Sequence, residues 1–194
     1  EFAVNIFQEN NKPAEFYLLQ IKPMVLTTTK IISFDKIKKE EIFAQSHITL
    51  GNGTTDNIKN LLYLRPDKYD PSQSKEIAKE IEKFNKSIGI KNKYILAGPG
   101  RWGSADPWLG VPLNWQQISN AKFIIEIGHK NFPVDPSFGS HFFQNLTSLH
   151  IGYLTIDNKN KNDFINDNWL SNYDAKEEGH YVQWYQFNDP FNTI

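Results

Sequence analysis

A mixed α/β fold, with helices packed on a mixed sheet and a β-hairpin ahead of them, is what this sequence predicts. An α+β arrangement of the same elements is the alternative. Two observations carry the prediction. Short apolar-rich runs recur at 60–64, 94–97, 122–127, 151–156 and 181–187 and read as strands. Helical patterns interrupt them, and strands alternating with helices favour a sheet covered by helices. No internal repeat is visible along the chain.

The elements follow in order. Phe2 to Phe7 and Glu15 to Ile21 are apolar-rich runs separated by the polar stretch Gln8 to Pro13, the pattern of a hairpin with a longer loop. If the chain folds back near Asn10 and Asn11, Glu1 comes opposite Gln20 or Lys22, with the three side chains on one face. Pro23 ends the second strand, and Thr27 to Thr29 read as a connector. Phe34 to Gln45 is expected to form a modest helix capped by Ser33 or Asp35.

The clearest helix starts at Asp70, with Pro71 in its first turn, Gln73 three residues after the cap and Gly89 beyond its end. Ile77, Ile81, Phe84 and Ile88 form its buried stripe. Shorter helices are expected over 115–120 and 140–149, and the Asn-, Lys- and Asp-rich stretch 158–168 reads as an exposed loop. The domain division is a terminal hairpin over 1–26 followed by an α/β domain over 27–194.

Bulk properties narrow the function classes. At 194 residues the chain can bury one proper core, and 39% hydrophobic with 22% charged residues fits a globular protein. No apolar run approaches bilayer length, so a membrane partner is not expected and a cytoplasmic location is. A formal net charge of -1 lacks the basic excess of general phosphate-backbone binding, so nucleic acid is not an expected partner. The absence of cysteine excludes disulfides, thiol nucleophiles and cysteine-ligated metal. Asn52-Gly-Thr54 and Asn145-Leu-Thr147 match glycosylation acceptors by pattern only. The start at Glu1 without methionine reads as an excised piece of a longer chain.

Two constellations could carry chemistry. The segment Gly98 to Gly110 holds four of eleven glycines, two of five tryptophans and Arg101, one of only two arginines. A glycine-rich turn after a strand can aim backbone amides into an anion-binding nest. Gly98, Gly100 and Gly103 would shape it, Arg101 would add a planar fork and Ser104 a hydroxyl. The segment is neither a Walker loop nor a dinucleotide fingerprint. The bland alternative is that the glycines make tight turns, Trp102 and Trp108 fill the core, and Arg101 pairs with Asp106 or another carboxylate.

The second constellation is Asp135 to Asn145, where Ser140 and His141 stand at an expected helix start and could meet an anion. The alternative is a simple serine cap. Neither serine lies in Gly-x-Ser-x-Gly, which argues against a hydrolase nucleophile. The five histidines show no tight ligand spacing, so zinc is not expected. Asp106 and Glu126 are candidate acid/base carboxylates without a known separation.

Glu1-Phe-Ala-Val together with Phe16-Tyr-Leu-Leu-Gln-Ile-Lys-Pro-Met24 resembles the end of the ATP-grasp nucleotide-binding domain of phosphoenolpyruvate synthases and pyruvate phosphate dikinases. The resemblance implies that residues 1–26 are a remnant hairpin of such a domain. It also implies that Glu1, Gln20 and Lys22 line an ATP and magnesium site in the intact protein, Glu1 toward the metal. Lys22 stands where the family has arginine, keeping the charge but losing the bidentate fork.

The remainder, above all Gly98 to Gly110, Val134 to Asn145 and Gly152 to Thr155, resembles the C-terminal extension of bacterial proteins that carry a dikinase-type phosphoenolpyruvate/pyruvate-binding domain. The family's glycine-rich ATP loop and its phosphohistidine motif are absent from this sequence. The resemblance therefore implies a part of a phosphotransferase that is inactive alone, with the remaining domains of the parent chain as partners. A phosphorylated or carboxylated small molecule is the expected ligand of the accessory domain. A non-catalytic interaction domain is the alternative, and an autonomous enzyme around Arg101, Asp106 and His141 is the third reading.

Overall fold

The computed structural model describes residues 2–6, 13–19, 37–51, 55–128 and 141–193. Glu1, Gln20, Lys22 and Ser140 lie outside these residues, as does the first part of the helix expected over 34–45. The chain is mixed α/β, rich in strand and with few helices.

The first two strands, β1 (Phe2–Asn5) and β2 (Glu15–Leu18), pair antiparallel with Phe2 opposite Leu18 and Asn5 opposite Glu15. Alternation places Phe2, Val4, Phe16 and Leu18 on one face, where the rings of Phe2 and Phe16 stack at 5.4 Å. All four are exposed, so the hairpin contributes nothing to the core described below.

After a 3-10 turn at Lys39–Glu41 come β3 (Ala44–Gln45), β4 (Ile48–Leu50) and the long β5 (Thr55–Leu64). No α-helix forms over 37–45, contrary to the sequence expectation. Phe43 is buried in the core, and Ala44–Gln45 pair with β11 (Phe164–Ile165), so distant strand pairing overrides a weak local helix preference.

Asp70 behaves as predicted: its carboxylate accepts the Ser72 amide at 2.8 Å, and Pro71–Gln73 form a 3-10 turn that feeds α1 (Ser74–Ile88). Gly89 follows with φ 79, a left-handed conformation that suits glycine. Ile77, Ile81, Phe84 and Ile88 are buried, as the stripe required.

Then follow β6 (Tyr94–Pro99), the short parallel pair β7 (Arg101–Trp102) and β8 (Gly110–Val111), β9 (Ala121–Ile127), α2 (His141–Ser148) and β10 (Gly152–Ile156). The helix expected over 115–120 is instead a run of turns. Asn114 and Gln117 bond each other's amides through their side chains, and six residues hold too little helix to compete. The stretch 158–168 is not simply an exposed loop. It contains β11 and the start of α3 (Asp167–Leu170), because Asp163 is buried and Leu170 enters the core. The chain closes with β12 (Glu177–Glu178) and β13 (Val182–Thr193).

The main sheet has seven strands in the order β12-β13-β5-β6-β9-β10-β4. The inner four, β5, β6, β9 and β10, run parallel, and antiparallel strands flank them. Strand alternation splits the core in two. One face carries Leu62, Leu64, Leu96, Ile124 and Tyr153 under α1, Trp102 and α2. The other carries Leu61, Tyr63, Ile95, Ile125 and Leu154 under Phe43, Leu170 and Phe187. The inner strands are apolar on both faces because both are covered.

Candidate functional site

Four parallel strands side by side give the sheet two chemically different edges. In open α/β sheets ligands gather outside the carboxyl ends of the strands. The chain's two arginines both lie there. Arg65 directly follows β5, Arg101 stands two residues beyond β6, and the two strands are neighbours with Tyr63 opposite Ala97.

The turn Gly98 to Gly110 folds on itself. The amides of Gly100, Arg101, Trp102 and Gly103 donate to Ile127 O (3.1 Å), Leu109 O (2.8 Å), Glu126 Oε1 (3.0 Å) and Val111 O (2.8 Å). These N–H groups are thus committed within the chain, and any anion at this turn would be met by side chains. Gly110 lies so close to Arg101 that a Cβ there would stand 1.9 Å from the Arg101 carbonyl oxygen. Ser104 Oγ donates to Asp106 O (2.9 Å), and Asp106 Oδ1 accepts the Trp108 amide (2.9 Å), so both shape the turn.

The two tryptophans divide. Trp102 is buried, and its indole donates to Ile125 O at 3.1 Å, whereas Trp108 is 63% exposed. Tyr69 donates to Pro107 O at 3.3 Å. Burial first, then the Asp106 charge, push its hydroxyl up to about 12, so it stays protonated and donating.

Beneath the turn lies Glu126, a wholly inaccessible carboxylate. Besides the Trp102 amide it accepts the Tyr153 hydroxyl at 2.5 Å, and Thr155 Oγ1 donates to the Tyr153 oxygen at 2.8 Å. Each member is partnered, as a buried polar chain requires. Glu126 and Asp106 therefore do different work: the first pins Trp102 from below, the second caps an exposed turn.

The described part of the second constellation, from His141 on, packs against the glycine-rich turn through Phe142. Gly103 has φ 78, and a Cβ on it would stand 2.3 Å from the Phe142 ring. Trp115 stacks on the same ring at 4.3 Å. The start of α2, with His141 as its first residue, is thereby seated against the turn.

Two buried N–H donors have no hydrogen-bond acceptor among the described residues: Arg65 Nε, whose nearest carboxylate oxygen is Asp67 Oδ1 at 3.8 Å, and Trp115 Nε1.

A further pair at the carboxyl edge escaped the sequence reading. His47 Nδ1 meets Asp163 at 2.8 and 2.9 Å, and the carboxylate also accepts the His47 and Asp157 amides, each at 3.0 Å. The Asp163 side chain is inaccessible while His47 is 47% exposed, so the imidazole is held by one nitrogen and open at the other. Burial opposes ionisation of Asp163, but the Asp157 amide, the His47 ring and the His47 amide outweigh it and hold the carboxyl below its usual range. The two residues are 116 apart in sequence, which no spacing rule can detect.

No group of three or more metal-ligating side chains exists among the described residues, and no helix there is long and apolar enough to cross a membrane. Comparison with protein-family models, curated proteins and solved structures gives no match.

Proposed function

We propose that this chain is the C-terminal part of an ATP-dependent phosphotransferase resembling phosphoenolpyruvate synthases and pyruvate phosphate dikinases. It is inactive by itself, and its accessory α/β domain recognises a phosphorylated or carboxylated small molecule. The observation that supports the ligand site is the placement of Arg65 and Arg101 beyond the carboxyl ends of adjacent parallel strands, with orphan N–H donors at Arg65 and Trp115. Arg101 would hold the anion through its fork, and the start of α2 would flank it; by residue type, Ser140 and His141 would add a hydroxyl and an imidazole. ATP and magnesium belong, in this reading, to the intact protein, with Glu1, Gln20 and Lys22 at one border of their site.

Calorimetry with phosphate, pyruvate, phosphoenolpyruvate and nucleotides, on the native chain and on Arg101→Ala and Arg101→Lys, tests the site. We expect one ligand class to bind and Arg101→Ala to weaken it roughly tenfold or more, with Arg101→Lys in between. The absence of any Arg101-dependent binding among these ligands would overturn the reading.

A docking module is the second reading, and one observation favours it. The hairpin face of Phe2, Val4, Phe16 and Leu18 and the turn residues Trp108 and Leu109 are exposed apolar surface. The other domains of the parent chain are the partners it would meet. Unchanged association with those domains after Phe2→Ser and Phe16→Ser would remove it.

A further inference from the structure

The opposite, amino edge of the sheet carries a separate feature. A cleft of about 360 Å³ opens where β5, β6 and β9 begin, and four lysines line it: Lys59 on β5, Lys91 and Lys93 ahead of β6, and Lys122 on β9. On α1, by contrast, three lysines are neutralised, Lys79 by Glu76, Lys86 by Glu82 and Lys83 by Glu177. No ion pair among the described residues engages Lys59, Lys91, Lys93 or Lys122, and the lining offers a single carboxylate, Asp56.

Two features position Lys122 and the backbone of Lys93. Tyr94 stands opposite Ala121 and Ile95 opposite Phe123, which leaves Lys122 as the extra residue of a β-bulge. Bulges re-aim side chains, and here the register break changes sides between Ala121 and Phe123, which pack on opposite core clusters. Lys122 Nζ donates to His150 O at 2.7 Å, one of its three N–H groups. Lys93 is anchored by its backbone: its carbonyl accepts Asn60 Nδ2 at 3.2 Å, while Asn60 Oδ1 accepts the Trp184 indole at 3.0 Å. The buried Asn60 thus ties the cleft wall to the core.

We propose that this amino-edge cleft binds a small oligophosphate through Lys59, Lys91, Lys93 and Lys122. Four lysines lining one cleft against one carboxylate call for a ligand with several negative charges. Compact ammonium charges suit phosphoryl oxygens approached from several directions, and the volume fits a small molecule. The lining holds no aromatic side chain, so a nucleobase has no ring to stack on and the phosphates carry recognition. The site is independent of Arg101, which stands at the other edge of the same strands.

Calorimetry of the native chain with pyrophosphate at low ionic strength, repeated at rising salt, is the test. We expect saturable binding that weakens with salt. Lys59→Gln, Lys91→Gln and Lys93→Gln should each cost about two- to fivefold, the range of one exposed ion pair, and the triple variant should abolish binding. Arg101→Ala should leave it unchanged. Adenosine diphosphate should bind within about threefold of pyrophosphate, and vesicles of phosphatidylcholine with a phosphoinositide should compete only through their headgroup. Four results would each overturn the proposal: no pyrophosphate binding, binding that survives the triple variant, binding lost with Arg101→Ala alone, or recruitment to anionic vesicles or single-stranded RNA without pyrophosphate binding. Circular dichroism of the triple variant guards against a folding artefact, and Lys→Arg replacement at the three positions should restore binding.

Discussion

The two edges of the parallel strands are built on opposite principles. At the carboxyl edge the chain crosses back over the sheet, the amides of residues 100–103 all find acceptors, and a buried glutamate braces the crossing from below. At the amino edge the strands simply begin, with one bulge and a row of lysines facing water. A closed edge should respond to mutation with loss of stability, an open one with loss of ligand. Charge that is costly to bury must be partnered, whereas charge left in water is free to meet a ligand.

The sharpest way to break this contrast is Gly110→Ala. A Cβ there would meet the Arg101 backbone at 1.9 Å, so the crossing must move. We expect about 4 kcal/mol of destabilisation, measured by urea unfolding. A change under about 1 kcal/mol would show that the crossing is looser than it looks.

Glu126 comes next. Glu126→Ala leaves the Trp102 amide and the Tyr153 hydroxyl without their acceptor in the core and should cost about 3 kcal/mol. Glu126→Gln keeps an acceptor and should cost less than half of that. Equal losses in the two variants would show that charge, not hydrogen bonding, is what the site needs.

Asp163 should make the carboxyl edge sensitive to acid. Its carboxyl is held below the usual range in the folded chain, so the unfolded chain binds the proton more readily. The stability it contributes is therefore complete above the ordinary aspartate range and fades as pH falls through the folded value. Unfolding midpoints followed downward from about pH 7 should drop less steeply in Asp163→Asn than in the native chain. Parallel curves would remove Asp163 from the acid response.

The smallest expected effect on stability is at the amino edge. Lys59→Gln, Lys91→Gln and Lys93→Gln should leave the melting temperature in place, since none of the three makes an ion pair among the described residues. A clear fall would mean that these lysines hold the fold together after all.

Legibility in the sequence followed the range of the interactions. The helix after Asp70 was readable because its cap, its stripe and its terminal glycine all lie within twenty residues of one another. The five strand cores were readable because burial on both faces leaves an apolar run. The helices expected over 34–45 and 115–120 failed where described, since Phe43 and Ala44 answer to β11 and Asn114 to a local turn. Glu1, Gln20 and Lys22 lie outside the described residues.

For the site, composition drew attention to Arg101 and its glycines but could not tell an anion nest from a self-bonded turn. That distinction depends on acceptors at Ile127, Glu126 and Val111, supplied from outside the turn's own glycine run. The His47–Asp163 pair and the lysine cleft were invisible for the same reason: each joins segments that only the sheet makes neighbours.

By itself, then, the sequence determined the main strand cores, the capped α1 with its stripe and the residue types available for anion recognition. These depend on periodicity and capping, which are local. Only the tertiary structure decided which edge each charged group occupies and whether its hydrogen-bonding capacity is already filled. Strand order and crossing geometry set both, and they arise from burying two apolar faces at once.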